Sequence, residues 1–191
     1  MTDLFNILKK KQIPHTVNAD GTTGVPGDLD LMFTAITVLP DGLNVGGSLD
    51  LEGTGITVLP DGLNVGGSLD LEGTGITVLP DGLNVGGSLY LRGTGITVLP
   101  DGLNVGGSFY LDPQHISNVA FRENCGYSSR TIFAVWMNDT FKIAAGCFLD
   151  TLDAFEKAVD RSYSGEAAEG YKQKGRDCVN ELTEKLNKNA A

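Results

Sequence analysis

The chain has 191 residues, 41% of them apolar, with 26 glycines, one tryptophan and a net charge of −10. That length holds one large domain or two small ones, and the surplus of glycine over aromatic residues points to many tight turns around a regular interior. The charge is concentrated: residues 36–112 carry one arginine against nine acids, −8, while 1–35 and 113–191 carry −1 each, which argues against direct binding to nucleic acid or to an anionic membrane.

At the N-terminus, Asp3-Leu4-Phe5-Asn6-Ile7-Leu8-Lys9-Lys10-Lys11 predicts a short amphipathic helix, acid first and base last, ended by Pro14. It has no long hydrophobic run and its lysines come late, so it reads neither as a secretion signal nor as a membrane span, and a cytoplasmic protein is expected. The helix suits an N-terminal cap over residues 1–23.

From there to residue 112 the chain repeats. ITVLPDGLNVGGS begins at Ile36, Ile56, Ile76 and Ile96, a period of 20 residues, and a period of that size signals a solenoid. Leu49-Asp50-Leu51 alternates in, out, in, as a half-exposed strand does, and Leu43-Asn44-Val45 repeats the pattern before the Gly46-Gly47 corner. Aligned strands are expected at 29–31, 49–51, 69–71, 89–91 and 109–111. Gly53, Gly55 and Pro60-Asp61-Gly62 supply turn chemistry.

The register Leu49-x-Leu51-x-x-Thr54-x-Ile56-x-x-Leu59-Pro60-x-x-Leu63 resembles the leucine-rich repeat pattern LxLxxNxLxxLPxxL in its short bacterial form, over roughly residues 24–112. Threonine replaces the family's asparagine at 54, 74 and 94, and Gly-Gly stands where a leucine is common. The resemblance implies a parallel sheet on one face of a curved or nearly straight solenoid, and a role in binding macromolecules.

Residues 113–191 read differently. Arg130–Trp136 and Phe141–Ala145 predict a hairpin across Met137-Asn138-Asp139-Thr140, and two helices follow near 151–163 and 165–188. Thr151 caps the first, which buries Leu152, Phe155 and Val159. Tyr171, Gly175, Cys178, Leu182 and Leu186 line one face of the second. The expected fold is thus a leucine-rich-repeat-like parallel β-solenoid with a helical N-terminal cap and a C-terminal α+β cap in ββαα order.

Catalytic chemistry has little support. His15 and His115 show no metal or triad spacing, no phosphate loop occurs, and no cofactor is expected. The three cysteines read as buried free thiols; Cys147, placed before a helix start, is the only position resembling a nucleophile.

The outward strand positions are more informative. One column reads Asp30, Asp50, Asp70, Tyr90, Tyr110 and its neighbour Met32, Glu52, Glu72, Arg92, Asp112. Stacked carboxylates repel, so the acids are not expected to stabilise the coil. They serve solubility and edge protection, or bind a basic partner, or hold a cation, although a flat ladder converges too little for calcium. Tyr90, Arg92 and Tyr110 are the expected partner contacts, together with Asp50, Glu52, Asp70 and Glu72. The competing explanation is structural: a Tyr90–Tyr110 stack, with Arg92 paired to Glu72 and Asp112. Identity of the copies at exposed Thr57, Asp61 and Asn64 points to recent duplication or to an engineered, regularised unit. The expected function is a non-enzymatic protein-binding scaffold, monomeric or homodimeric, with an acidic decoy that mimics nucleic acid as the alternative.

Overall fold

The structure, a computed structural model, describes residues 4–126, 129–137 and 139–189. The chain divides into two compact units, residues 1–112 and 113–191.

In the first unit, α1 (Leu4–Lys11) buries Leu4, Ile7 and Leu8, the i, i+3, i+4 stripe of an amphipathic helix. It ends where Gln12 adopts a left-handed conformation (φ 55°) and the Ile13 N–H donates to the Leu8 carbonyl at 2.9 Å, two residues ahead of Pro14. Lys11 Nζ donates to the Asp30 carbonyl at 2.7 Å, which ties the helix to the first coil. Asp3, expected to open the helix, lies outside the described residues.

Eleven short strands follow: β1 (Thr16–Val17), β2 (Thr23–Val25), β3 (Leu29–Asp30), β4 (Leu43–Val45), β5 (Leu49–Asp50), β6 (Asn64–Val65), β7 (Leu69–Asp70), β8 (Asn84–Val85), β9 (Leu89–Tyr90), β10 (Asn104–Val105) and β11 (Phe109–Tyr110). They form two sheets, a six-stranded one in the order β1-β2-β4-β6-β8-β10 and a five-stranded one in the order β3-β5-β7-β9-β11. Only the β1–β2 pair is antiparallel; elsewhere each residue lies opposite its equivalent one period on, Leu49 against Leu69 and Asn64 against Asn84. This is a parallel β-solenoid. The second extended segment of each coil builds a full sheet of its own, and β1 and β2 extend that sheet into the segment expected to act as cap.

Each coil points its apolar columns inward: Leu49, Leu51, Ile56, Leu59, Leu63 and Val65 are all at most 4% exposed. A leucine so buried contributes roughly 1.5–3 kcal/mol, and its only apolar neighbours along the stack are the coils above and below. Polar ladders run beside them. The Asn64, Asn84 and Asn104 side-chain amides each donate to the preceding coil's asparagine, at 3.1, 2.7 and 2.8 Å. Ser48, Ser68 and Ser88 hydroxyls each accept the N–H of the next coil's serine at 3.0–3.1 Å. The threonines after each strand work locally: Thr54 and Thr74 are buried and donate to the Leu51 and Leu71 carbonyls at 2.8 and 2.7 Å.

The Gly-Gly corner is a close approach of backbones. A Cβ on Gly86 would fall against the Gly66 carbonyl oxygen, and the same holds for Gly66 over Gly46. Backbone hydrogen bonds join coils at both sheets, at this corner (Gly86 N–H to Val65 O, 2.8 Å), at the Pro-Asp-Gly turn (Gly82 N–H to Asp101 O, 3.1 Å) and along the arc (Gly95 N–H to Ile76 O, 2.9 Å). Neighbouring coils are thus held at hydrogen-bond spacing on several sides.

The second unit holds a four-stranded antiparallel sheet, β12 (Ala120–Cys125), β13 (Arg130–Met137), β14 (Thr140–Ala145) and β15 (Phe148–Thr151), in sequential order. The β13–β14 hairpin is the expected one, although its turn residue Asn138 lies outside the described residues. β12 and β15 enlarge the expected ββαα order to ββββαα. β12 has polar residues and a register shift between Arg122 and Cys125, and β15 runs directly into a helix cap, so neither shows clean alternation. α2 (Leu152–Ser162) starts on Thr151, whose hydroxyl accepts the Ala154 N–H at 3.3 Å. α3 (Gly165–Asn189) buries Tyr171, Cys178 and Leu182 on one face, and Gly175 there makes room for the Phe155 ring, which a Cβ would meet at 2.8 Å.

Candidate functional site

The five-stranded sheet carries the singled-out residues on its outer side, on β5, β7, β9 and β11 or within two residues of their ends. Two-residue strands reverse the side-chain direction at each step, so Leu49, Leu69 and Leu89 turn inward while Asp50, Asp70 and Tyr90 stay half-buried on the surface. All seven expected residues, Asp50, Glu52, Asp70, Glu72, Tyr90, Arg92 and Tyr110, belong to this one face.

Its acidic end is more ordered than simple repulsion allows. Asp50 Oδ1 accepts the Glu52 N–H at 3.0 Å and Asp70 Oδ1 accepts the Glu72 N–H at 2.9 Å; Asp30 does the same for Met32 at 3.1 Å. The three aspartates therefore cap the turns that leave β3, β5 and β7, contrary to the expectation that these acids do not stabilise the coil. The cost of stacking remains visible. Burial, with Asp50 adding to it, raises the Asp70 carboxyl above its ordinary value, the Glu72 N–H opposing; burial and Asp70 likewise raise Glu72, while Arg92 pulls it down.

Asp50, Glu52 and Asp70 can each bring one carboxylate oxygen within 4.8 Å of the others. That reach is about one strand spacing, as a flat ladder gives. A hard cation such as calcium takes about six to eight oxygens, more than these three side chains supply, whereas a single ammonium or guanidinium group is matched by two or three.

At the other end the face turns aromatic. Tyr90 and Tyr110 stack with centroids 4.6 Å apart and planes 6° from parallel, and the Arg92 guanidinium carbon lies 5.7 Å from the Tyr110 centroid. The stack was anticipated; the pairing of Arg92 was not. Among the described residues Arg92 forms no ion pair, and Asp112 instead accepts the Gly93 N–H at 3.3 Å. An arginine held on an aromatic ring keeps its hydrogen-bond donors available.

Cys125 and Cys178 are buried, and burial raises both thiols, Cys178 to about 12. Cys147 is exposed, contrary to the packed thiol expected, and it sits in the turn between β14 and β15, four residues ahead of the α2 cap. A feature without any signal in the sequence is the column Val38, Val58, Val78 and Val98, 53–71% exposed on the arc between the sheets. Apolar residues in an irregular arc have no periodicity that fixes their direction.

The class that fold and face define is a parallel β-solenoid repeat protein with an added α+β unit. No protein-family model, curated protein or solved structure matches the chain. Among the described residues no helix is long and apolar enough to cross a membrane.

Proposed function

We propose that the chain is a non-enzymatic scaffold of leucine-rich-repeat type, which binds a basic protein partner through the outer face of the five-stranded sheet. One observation carries this reading: units 36–55 and 76–95 differ only at Asp50/Tyr90 and Glu52/Arg92, and both differences fall on that face. The apolar columns and the asparagine and serine ladders are copied, and both changes fall on the outward face. The acidic end steers a cationic segment, while the tyrosine pair and Arg92 offer the side chains favoured at interface centres. Identity of the unit at exposed positions supports a regularised, engineered origin, with recent duplication as the alternative.

The test is fluorescence anisotropy of a labelled Lys/Arg-rich peptide against the full chain, with Tyr90→Ala and Arg92→Ala as variants. Saturable binding weakened several-fold by either variant supports the reading, and binding indifferent to both refutes it. The −8 charge of residues 36–112 favours a second reading, an acidic decoy for a nucleic-acid-binding protein. That reading requires affinity that collapses with salt and ignores the tyrosines.

A further inference from the structure

The second unit contains a cavity of about 210 Å³ beside the α2–α3 crossing, bordered by Arg130, Phe148, Phe155, Val159, Tyr163 and Tyr171. Its aromatic wall is held by successive edge-on contacts: Phe148 to Phe155 at 5.9 Å, Phe155 to Tyr171 at 5.2 Å, and Tyr171 to Tyr163 at 5.2 Å. Such a chain of rings is rigid before any ligand arrives. A further cavity of about 270 Å³ borders the same two tyrosines, next to Gly126 and Lys174.

Two polar residues, Arg130 and Tyr171, border the smaller cavity. The Arg130 side chain has no hydrogen bond or ion pair among the described residues, although carboxylates satisfy Arg122 and Arg176 in the same unit. Tyr171 lines the cavity, is only 6% exposed, and its hydroxyl donates to no described group. Burial above all, with Tyr163 and Cys125 adding to it, pushes that hydroxyl up to about 12, so it remains a proton donor at any ordinary pH. A fixed positive charge and a neutral donor beside a wall of aromatic rings and Val159, with Ser162 as a further polar residue of the lining, match an anion that carries an apolar body. A cavity of about 150 Å³ suffices for benzene, so this one has room for a ring with a short acidic arm.

We propose that the cavity binds a small aromatic carboxylate, its ring on Phe148, Phe155 and Val159 and its carboxylate on Arg130 and the Tyr171 hydroxyl. Isothermal titration of the full chain with phenylacetate tests it, with phenylacetamide as the uncharged match and Arg130→Gln and Ala158→Phe as variants. The expected dissociation constant is on the order of 0.1–1 mM for a ligand of this size. Phenylacetamide, and phenylacetate on Arg130→Gln, each bind about tenfold more weakly, the value of a charge-assisted contact. Ala158→Phe, which fills the cavity, abolishes the heat while circular dichroism stays unchanged. Arg130 is exposed, so its variant folds and keeps the test decisive even where Ala158→Phe does not. Equal affinity for acid and amide, unchanged binding by Arg130→Gln, or no saturation with phenylacetate up to about 10 mM would each overturn the proposal.

Discussion

Alanine at three glycines separates the close approach of coils from every other use of glycine here. A Cβ on Gly86 would lie against the Gly66 oxygen and 3.0 Å from its carbonyl carbon, where ordinary contact begins near about 3.5 Å. Relief requires the coils to part by about 1 Å, which stretches the 2.8 Å bonds from Gly86 N–H to Val65 O and from Gly87 N–H to Gly67 O past useful length. Two lost bonds at about 1 kcal/mol each, with about 1–2 kcal/mol of overpacking, give a cost of about 3–4 kcal/mol for Gly86→Ala. Gly82 has φ +69° and nothing within 4 Å of an added Cβ, so Gly82→Ala costs only the left-handed strain, about 1 kcal/mol. Gly27 has neither constraint, and Gly27→Ala is neutral or slightly stabilising. Hydrogen–deuterium exchange over residues 25–110, read as opening free energies, ranks the three. Equal destabilisation by Gly86→Ala and Gly82→Ala would refute the close-approach argument.

Asp70→Asn keeps an oxygen for the Glu72 N–H while removing repulsion from Asp50, so it stabilises the solenoid by a few tenths to about 1 kcal/mol at neutral pH. Asp70 and Glu72 both sit above their ordinary values when folded, so the folded chain holds the extra protons and their unfavourable contribution grows as pH rises through the folded values. The gap between wild type and Asp70→Asn is therefore widest at neutral pH and closes as pH falls to the ordinary carboxylate range, which thermal melts across that range check. Thr74→Val removes the buried 2.7 Å bond to the Leu71 carbonyl and costs about 1 kcal/mol by urea denaturation, whereas Thr77→Val on the exposed arc changes little. Deleting residues 56–75 removes one whole period, restores every register of twenty, and leaves a folded, less stable chain by circular dichroism; loss of the fold would contradict one-dimensional stacking.

Much of the solenoid was legible because each position occurs four or five times. Leu49 and Leu51 flank Asp50 in the sequence as they do on the sheet, and a strict period forces like onto like. The second sheet was half legible: Leu43-Asn44-Val45 alternates, but the asparagines pass a hydrogen bond from coil to coil only once the coils are stacked. The aspartate column was misread because its electrostatic cost is visible in the sequence, while its bond to the amide two residues on depends on the chain turning there. The competing structural explanation paired Arg92 with Glu72 and Asp112 by charge alone, yet the guanidinium lies over Tyr110, where the Tyr90 stack presents a ring. In the second unit α3 was readable from its 3.6 period. β12 and β15 were not, since a bulge and a shared cap residue interrupt their alternation. Arg130 carried no signal, because a cavity is made by elements distant in sequence.

The central claim is that a partner covers the outer face of the five-stranded sheet. Backbone amide NMR of the full chain, titrated with a Lys/Arg-rich peptide, tests it most directly. Shifts are expected at residues 49–52, 69–72, 89–92 and 109–111, strongest around the Tyr90–Tyr110 stack and lost with Tyr90→Ala. Shifts that instead follow Val38, Val58, Val78 and Val98, or that fall within residues 113–191, would contradict it.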